Sequence, residues 1–187
     1  MRTSDEELMR RCGEGDMSAF ELIVLRYEDA IFNFIYHFLA DYHRSQDVSQ
    51  ETFLRVLRNA DRYKSSNNFK TWLYKIAVNL CKNELRNRSR RKTLSLNDPD
   101  IDIENLILDH HVSPDEAYER KEMRELIKNA LGELPEDQRM AIILREYQDL
   151  SYGEIAAALN CSLGAVKSKI RRARQNIKSM LVEIEVA

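Results

Sequence analysis

Lys167, Lys169, Arg171, Arg172, Arg174 and Lys178 fall within one short run, Leu163 to Lys178, that contains no acidic residue. Positive charge at this density suits phosphate, and Arg and Lys side chains at the right height can donate to guanine edges in a major groove. A second group is of a different kind. Tyr63, Phe69, Trp72 and Tyr74 are interleaved with Lys64, Ser65, Ser66, Asn67, Asn68 and Lys70. Rings stack on unpaired bases, amides read base edges and lysines neutralise phosphate, so this composition suits single-stranded nucleic acid. A third group, Asp47, Gln50 and Glu51, is acidic and unsuited to DNA; it fits a basic protein partner. No paired carboxylates, nucleophile–base set or glycine-rich phosphate loop occurs, so covalent chemistry has no candidate site.

The elements that must carry these groups are legible. Ser151 and Glu154 have capping-box spacing, Leu150 can staple onto Ile155, and the pattern predicts a helix from Tyr152 to Leu159. Asn160 tolerates positive φ and can end it, and Ser162 can cap the next helix. On that helix Leu163, Val166, Ile170, Ala173 and Ile177 recur at three- and four-residue steps, which leaves Ser168, Arg171, Arg172 and Gln175 on the opposite face. Two short helices, a tight turn and a one-signed outer face fit a helix-turn-helix with its recognition helix second. A solvated helical hairpin would share the charge but has no need of the caps.

Upstream, Ser4 and Glu7 can cap a short first helix. Phe20, Ile23, Val24, Tyr27, Ile31, Phe34, Ile35 and Phe38 trace a broad helical stripe, with Arg26 and Glu28 turned away. A third helix is expected over roughly Ser45 to Asn59, with Val48, Phe53, Val56 and Leu57 apolar. Asp61 to Asn68 reads as a turn. A long helix follows, roughly Phe69 to Arg88, burying Leu73, Ile76, Ala77 and Leu80. Its other side aligns Lys75, Asn79, Lys82, Asn83, Arg86 and Arg90. Asn79 and Asn83 are weak helix formers one turn apart, better explained by a DNA contact than by propensity. Helical spacing favours the core for Trp72; for Tyr63 and Phe69, stacking and core stay open.

Thr93 to Val112 lacks periodicity and is acidic, so it reads as a linker. Ser113, Pro114 and Glu116 mark a further helix ending at Gly132, and Pro135 with Glu136 and Asp137 opens another to about Tyr147. The fold class is therefore all-α: two small helical domains joined by a flexible acidic linker, with boundaries at 1–92, 93–113 and 114–187. The near-neutral net charge of −2 conceals this segregation, because Lys82–Lys92 is strongly basic and Asp98–Glu125 strongly acidic. Acidic residues in the linker can screen the chain's own basic faces. Three scattered cysteines, Cys12, Cys81 and Cys161, give no disulfide framework and point to a reducing cytoplasm. No metal or other cofactor is expected, no membrane insertion and no small-molecule substrate.

Taken in order, "DVSQETFLRV" from Asp47, "FKTWLYKIAVNLCKNELR" from Phe69 and "LPEDQRMAIILREYQDLSYGEIAAALNCSLGAVKSKIRRAR" from Leu134 resemble bacterial sigma factors of the extracytoplasmic-function (ECF) type, across nearly the whole chain. The resemblance implies a protein that binds core RNA polymerase, directs it to −35/−10 promoters and assists their opening. It implies that Asp47, Gln50, Glu51 and Phe53 contact the clamp helices of the polymerase's largest subunit. Tyr63, Asn68, Phe69, Lys75, Asn79, Asn83 and Arg86 would hold the single-stranded −10 element, with one base flipped near the loop. Lys167, Ser168, Arg171 and Arg172 would enter the major groove at −35, with Arg139 and Arg174 near phosphates. The linker would thread toward the RNA exit path, and an anti-sigma partner is usual in the family. Ala165 stands where the family often has Thr, and Ser162 where Pro is common; the first removes one hydroxyl near the groove. A stand-alone helix-turn-helix regulator, dimeric on a palindrome, and an RNA-binding antiterminator are the competing readings.

Overall fold

In the computed structural model, residues 3–64, 68–92 and 125–186 are described, and all their regular elements are helical. The expected helix start at Ser113 and the acidic linker lie outside them, except for the last turns of that helix.

Helix α1 (Asp5–Gly13) begins where the spacing placed it, with the Ser4 hydroxyl accepting from the Glu7 amide. Helix α2 (Met17–Leu39) is capped by Asp16, which accepts from the amides of Ser18 and Ala19. The Ser18 hydroxyl and Arg11 also donate to Asp16 and hold its carboxyl down at about 2. One expectation fails here: Arg26 is not turned away to solvent. It folds back to Asp5 and the Thr3 carbonyl while Tyr27 donates to Asp5, which ties α2 to α1.

Helix α3 (Tyr42–Arg58) starts three residues before the expected position, because Asp41 is its cap and accepts from the Arg44 amide. Ser45 is buried and donates to the Asp41 carbonyl. A 3-10 turn over Ala60–Arg62 leads to α4 (Phe69–Lys92), with Asn68 accepting from the Thr71 amide. Ile31, Phe34, Ile35, Val56, Leu73, Ala77 and Val78 lie in the core that α2, α3 and α4 share. Each of these side chains larger than alanine contributes roughly 1.5–3 kcal/mol by leaving water.

In the second half, helix α5 occupies 125–133 and α6 (Glu136–Glu146) follows Pro135. Helix α7 (Tyr152–Leu159) carries the full capping box: the Ser151 hydroxyl accepts from the Glu154 amide, and the Glu154 carboxylate accepts from the Ser151 amide. Leu150 and Ile155 are both fully buried, as a hydrophobic staple requires. Asn160 is left-handed at φ 52°, and Ser162 caps α8 (Leu163–Val186) through the Ala165 amide. Val166, Ile170 and Ala173 form the buried stripe with Ile177 half-buried, whereas Leu163, at the very start of α8, is exposed.

The two halves pack on one another, α4 against α7 and α2 against α6, and the buried residues form one continuous cluster through both.

Candidate nucleic-acid and partner interfaces

Helix α8 is pinned by Val166, Ile170 and Ala173, so its opposite face must meet solvent. Lys167, Ser168, Arg171 and Arg172 are all exposed there. Their neighbours differ. Lys169 donates to Asp137 on α6 at 2.7 Å and Arg174 to Glu146 at 2.6 Å. Of the six expected −35 residues, Lys167, Ser168, Arg171 and Arg172 have no ion pair or side-chain hydrogen bond among the described residues, whereas Arg174 is already engaged. Arg139 departs further. Its guanidinium lies 4.8 Å from the centroid of the Phe38 ring in the other half of the molecule, and burial pulls its basicity down. It is not displayed for phosphate in this arrangement.

On α4, Lys75, Asn79, Asn83 and Arg86 are exposed at steps of four, four and three residues, one continuous ridge along the helix. Asn68 is exposed at the head of that ridge. Tyr63 is half-buried with its ring 5.1 Å from Trp72, and burial together with the charges of Glu6 and Asp5 pushes its hydroxyl up to about 12. Phe69 is a correction: only 1 % exposed, edge-on to Tyr27 at 5.4 Å, it is a core residue that supports Tyr63 and Trp72 and offers no face to a base. The first turn of an amphipathic helix carries inward positions as well as outward ones, and Phe69 sits at an inward one.

On α3, Asp47 and Gln50 are exposed, and Glu51 is half-exposed beside them. Arg55 donates to Glu51 at 2.8 Å and holds its carboxyl below the ordinary range. Phe53 is again a correction, 7 % exposed and facing the core, whereas Leu54 is 44 % exposed on the acidic face. The exposed apolar group of that surface is Leu54. Its position four residues beyond Gln50 on a helix is the signal that identifies it.

The residues missed from the sequence lie between the halves. Tyr74, 1 % exposed, donates to the Gln148 side-chain oxygen at 2.6 Å, and Lys70 donates to the Gln148 carbonyl at 3.0 Å. No local pattern connects positions 74 residues apart. Lys82 approaches Asp137 at 3.8 Å. Among the described residues, no group of three His, Cys, Asp or Glu side chains could hold a metal, and no helix is long and apolar enough to cross a membrane.

A capped helix-turn-helix with a basic outer face, beside a second polar and basic helix ridge, is the architecture of a helical nucleic-acid-binding protein. Comparison with known proteins makes the class specific. Residues 23–91 match the model of sigma-70 region 2, and residues 124–177 that of sigma-70 region 4. The chain is 38 % identical over 184 residues to the RNA polymerase sigma-H factor of Pseudomonas aeruginosa, covering 95 % of this chain and 93 % of that one. It is likewise 38 % identical over 178 residues to the ECF RNA polymerase sigma-E factor of Escherichia coli, covering 93 % and 92 %. Among solved structures, the sigma factor RpoE of Bartonella quintana, crystallised with the anti-sigma factor NepR, superposes with a TM-score of 0.71 at 27 % identity over 87 % of this chain and 96 % of that one. The chain belongs to the sigma-70 family, in its ECF branch. Its function is that of a promoter-directing sigma factor: it binds core RNA polymerase and promoter DNA and directs transcription initiation. Sigma factors are in general non-enzymatic initiation factors.

Proposed function

We propose that the chain divides promoter recognition among three surfaces. Asp47, Gln50, Glu51 and Leu54 on α3 dock on core polymerase, the acids toward basic groups and Leu54 toward an apolar site. Tyr63, Asn68, Lys75, Asn79, Asn83 and Arg86 hold the opened −10 strand, with Phe69 as their support from within. Lys167, Ser168, Arg171 and Arg172 read the −35 duplex. The segment 1–92 is the polymerase and −10 module, 93–113 the tether and 114–187 the −35 module; the chain acts in the cytoplasm.

The observation that carries this reading is the contrast between the two basic faces. The α8 face is built of Lys, Arg and Ser, which suits paired bases in a groove. The α4 ridge carries two exposed amides beside a half-buried aromatic pair, which suits unstacked bases. Flipping a base costs a few kcal/mol, and stacking on a platform flanked by cations offsets it, so capture of the strand drives melting and the chain needs no covalent chemistry of its own. Tethering two modules raises the effective concentration of each at its element, which allows each to be weak alone.

An anti-sigma partner fits as well. Between α6 and α8 an open groove has an apolar floor of Ile142, Ile177, Leu181 and Val182 and a charged rim of Glu146, Arg174 and Lys178. That shape and lining suit an amphipathic helix. Competition settles the division of labour: with core polymerase supplied, duplex −35 fragments and single-stranded −10 oligonucleotides should be bound independently. Displacement of one by the other would contradict separate faces.

A further inference from the structure

We propose that Leu163, the first residue of α8, is a specificity residue that takes the 5-methyl group of a thymine, or of a methylated cytosine, in the major groove, while Gly164 beside it lets the duplex come close. This rests on the assignment of α8 to the −35 duplex made above. It adds an apolar readout that the Lys, Arg and Ser side chains of that face do not supply.

Two residues at the head of α8 are unsuited to a helix end left in water. Leu163 is 47 % exposed, although it shares its spacing with the buried Val166, Ile170 and Ala173. Its position is the reason. Cα–Cβ bonds tilt toward the N-terminus of a helix, so the side chain of a first residue leans past the end and has no preceding turn to cover. Gly164 is helical and exposed, where glycine costs stability relative to alanine. Packing within the protein does not require it: the nearest atom that an added Cβ would meet is the Ser162 Oγ, at 4.0 Å. A glycine with open space around it and a leucine facing water are both explained by something that approaches from outside.

Their neighbours select what approaches. Lys167 and Arg171 follow Leu163 at steps of four residues, and Ser168 and Arg172 follow Gly164 in the same way, all of them exposed. Leu163 and Gly164 therefore head the two lines of side chains assigned to the groove. A recognition helix presents its N-terminal residues to base edges. On the major-groove edge of the base pairs the thymine methyl is the apolar feature, and apolar side chains read it. A protein-docking surface needs neighbouring apolar residues, but Val182, the other exposed large apolar residue of α8, is nineteen positions on, about 28 Å along the axis. One leucine set among cations matches one methyl group set between phosphates. Since 5-methylcytosine carries its methyl at the same ring position, the same contact makes recognition responsive to cytosine methylation.

The test is binding of holoenzyme, assembled with the full chain, to −35 duplexes selected by the parent. Each thymine in turn is replaced by deoxyuridine, which removes only the methyl group. One such replacement should weaken the parent by about threefold to fivefold, the worth of one methyl group leaving water. Leu163→Ala should bind the thymine duplex more weakly by at least that factor and should not distinguish it from the deoxyuridine duplex. At the same position the parent should prefer 5-methylcytosine to cytosine by about threefold to fivefold, and Leu163→Ala should bind the two equally. Its melting temperature should stay level, because Leu163 is exposed. Gly164→Ala should hold or raise the melting temperature while weakening binding to every −35 duplex.

Arg172→Ala in the same panel separates this proposal from the reading beneath it. If that variant loses a base preference but no deoxyuridine weakens the parent, the methyl site is overturned and the −35 assignment stands. If Arg172→Ala loses affinity uniformly, the groove assignment itself fails. A deoxyuridine penalty that persists in Leu163→Ala shows that another residue meets the methyl, and overturns the role of Leu163. Loss of association with core polymerase in Leu163→Ala, with DNA binding unaltered, overturns it in favour of a protein contact. Unaltered binding by Gly164→Ala overturns the close approach.

Discussion

Three arginines on one helix should behave differently, and the structure says how. Arg171 and Arg172 are exposed with no ion pair among the described residues, whereas Arg174 donates to Glu146 at 2.6 Å with both side chains about half exposed. Arg172→Ala therefore removes no interaction from the folded protein, and its effect on stability should stay within about 0.5 kcal/mol. Arg174→Ala loses an exposed pair worth roughly 0.2–1 kcal/mol. On DNA the order reverses. An arginine reading a guanine edge is worth about 1–3 kcal/mol, or roughly 5- to 150-fold in affinity, all of it at one base pair. Arg174 must first leave Glu146, so its net contribution should be smaller and insensitive to sequence. The assay is binding of the variant holoenzyme to a panel of −35 duplexes carrying every single-base change, at several salt concentrations. Arg172→Ala should lose affinity for the preferred duplex and become indifferent to one position. A uniform loss across the panel, with the logarithmic salt slope shallower by about 0.9, would show a phosphate contact and refute the groove assignment.

Further outcomes follow from the other elements. Asp47→Lys and Leu54→Ala should each weaken association with core polymerase in a pull-down titration while leaving the melting temperature unchanged, whereas Phe53→Ala should lower the melting temperature and leave the association of the folded protein unchanged. Phe69→Ala should cost about 3–5 kcal/mol in chemical denaturation, because it empties a fully buried site. His37 is held below the ordinary imidazole range by burial, against the opposing pull of the Asn33 carbonyl. It binds a proton less readily folded than unfolded, so its share of stability is complete above about pH 6.5 and is lost as the pH falls below that. His37→Gln should flatten the decline in melting temperature measured between about pH 7.5 and 5.5.

Local signals carried the sequence reading a long way. The Ser151–Glu154 box, the Leu150 staple and the left-handed Asn160 each depend on residues within a turn or two, and each is found where the spacing placed it. The errors have a common source. Phe53 and Leu54 are adjacent, and only the phase of α3 against α2 and α4 decides which one meets the core. Phe69 and Arg26 were misjudged for the same reason, since their partners Tyr27 and Asp5 belong to other helices. The start of α3 was set three residues late because Asp41, the residue that caps it, precedes the apolar stripe from which the helix was read. The contacts of Arg139 and Gln148 across the halves had no signature in the sequence. They arise from docking of two separately patterned units, and neither unit's periodicity encodes the other's surface.

The central claim is that the α4 ridge acts on an opened strand while α8 acts on duplex. Permanganate reactivity of −10 thymines, in complexes of core polymerase with Asn79→Ala/Asn83→Ala, tests it most directly. The account predicts unopened complexes with −35 protection intact, and weak binding even to a promoter opened in advance. Normal reactivity of those thymines, or loss of −35 protection in the same complexes, would contradict it.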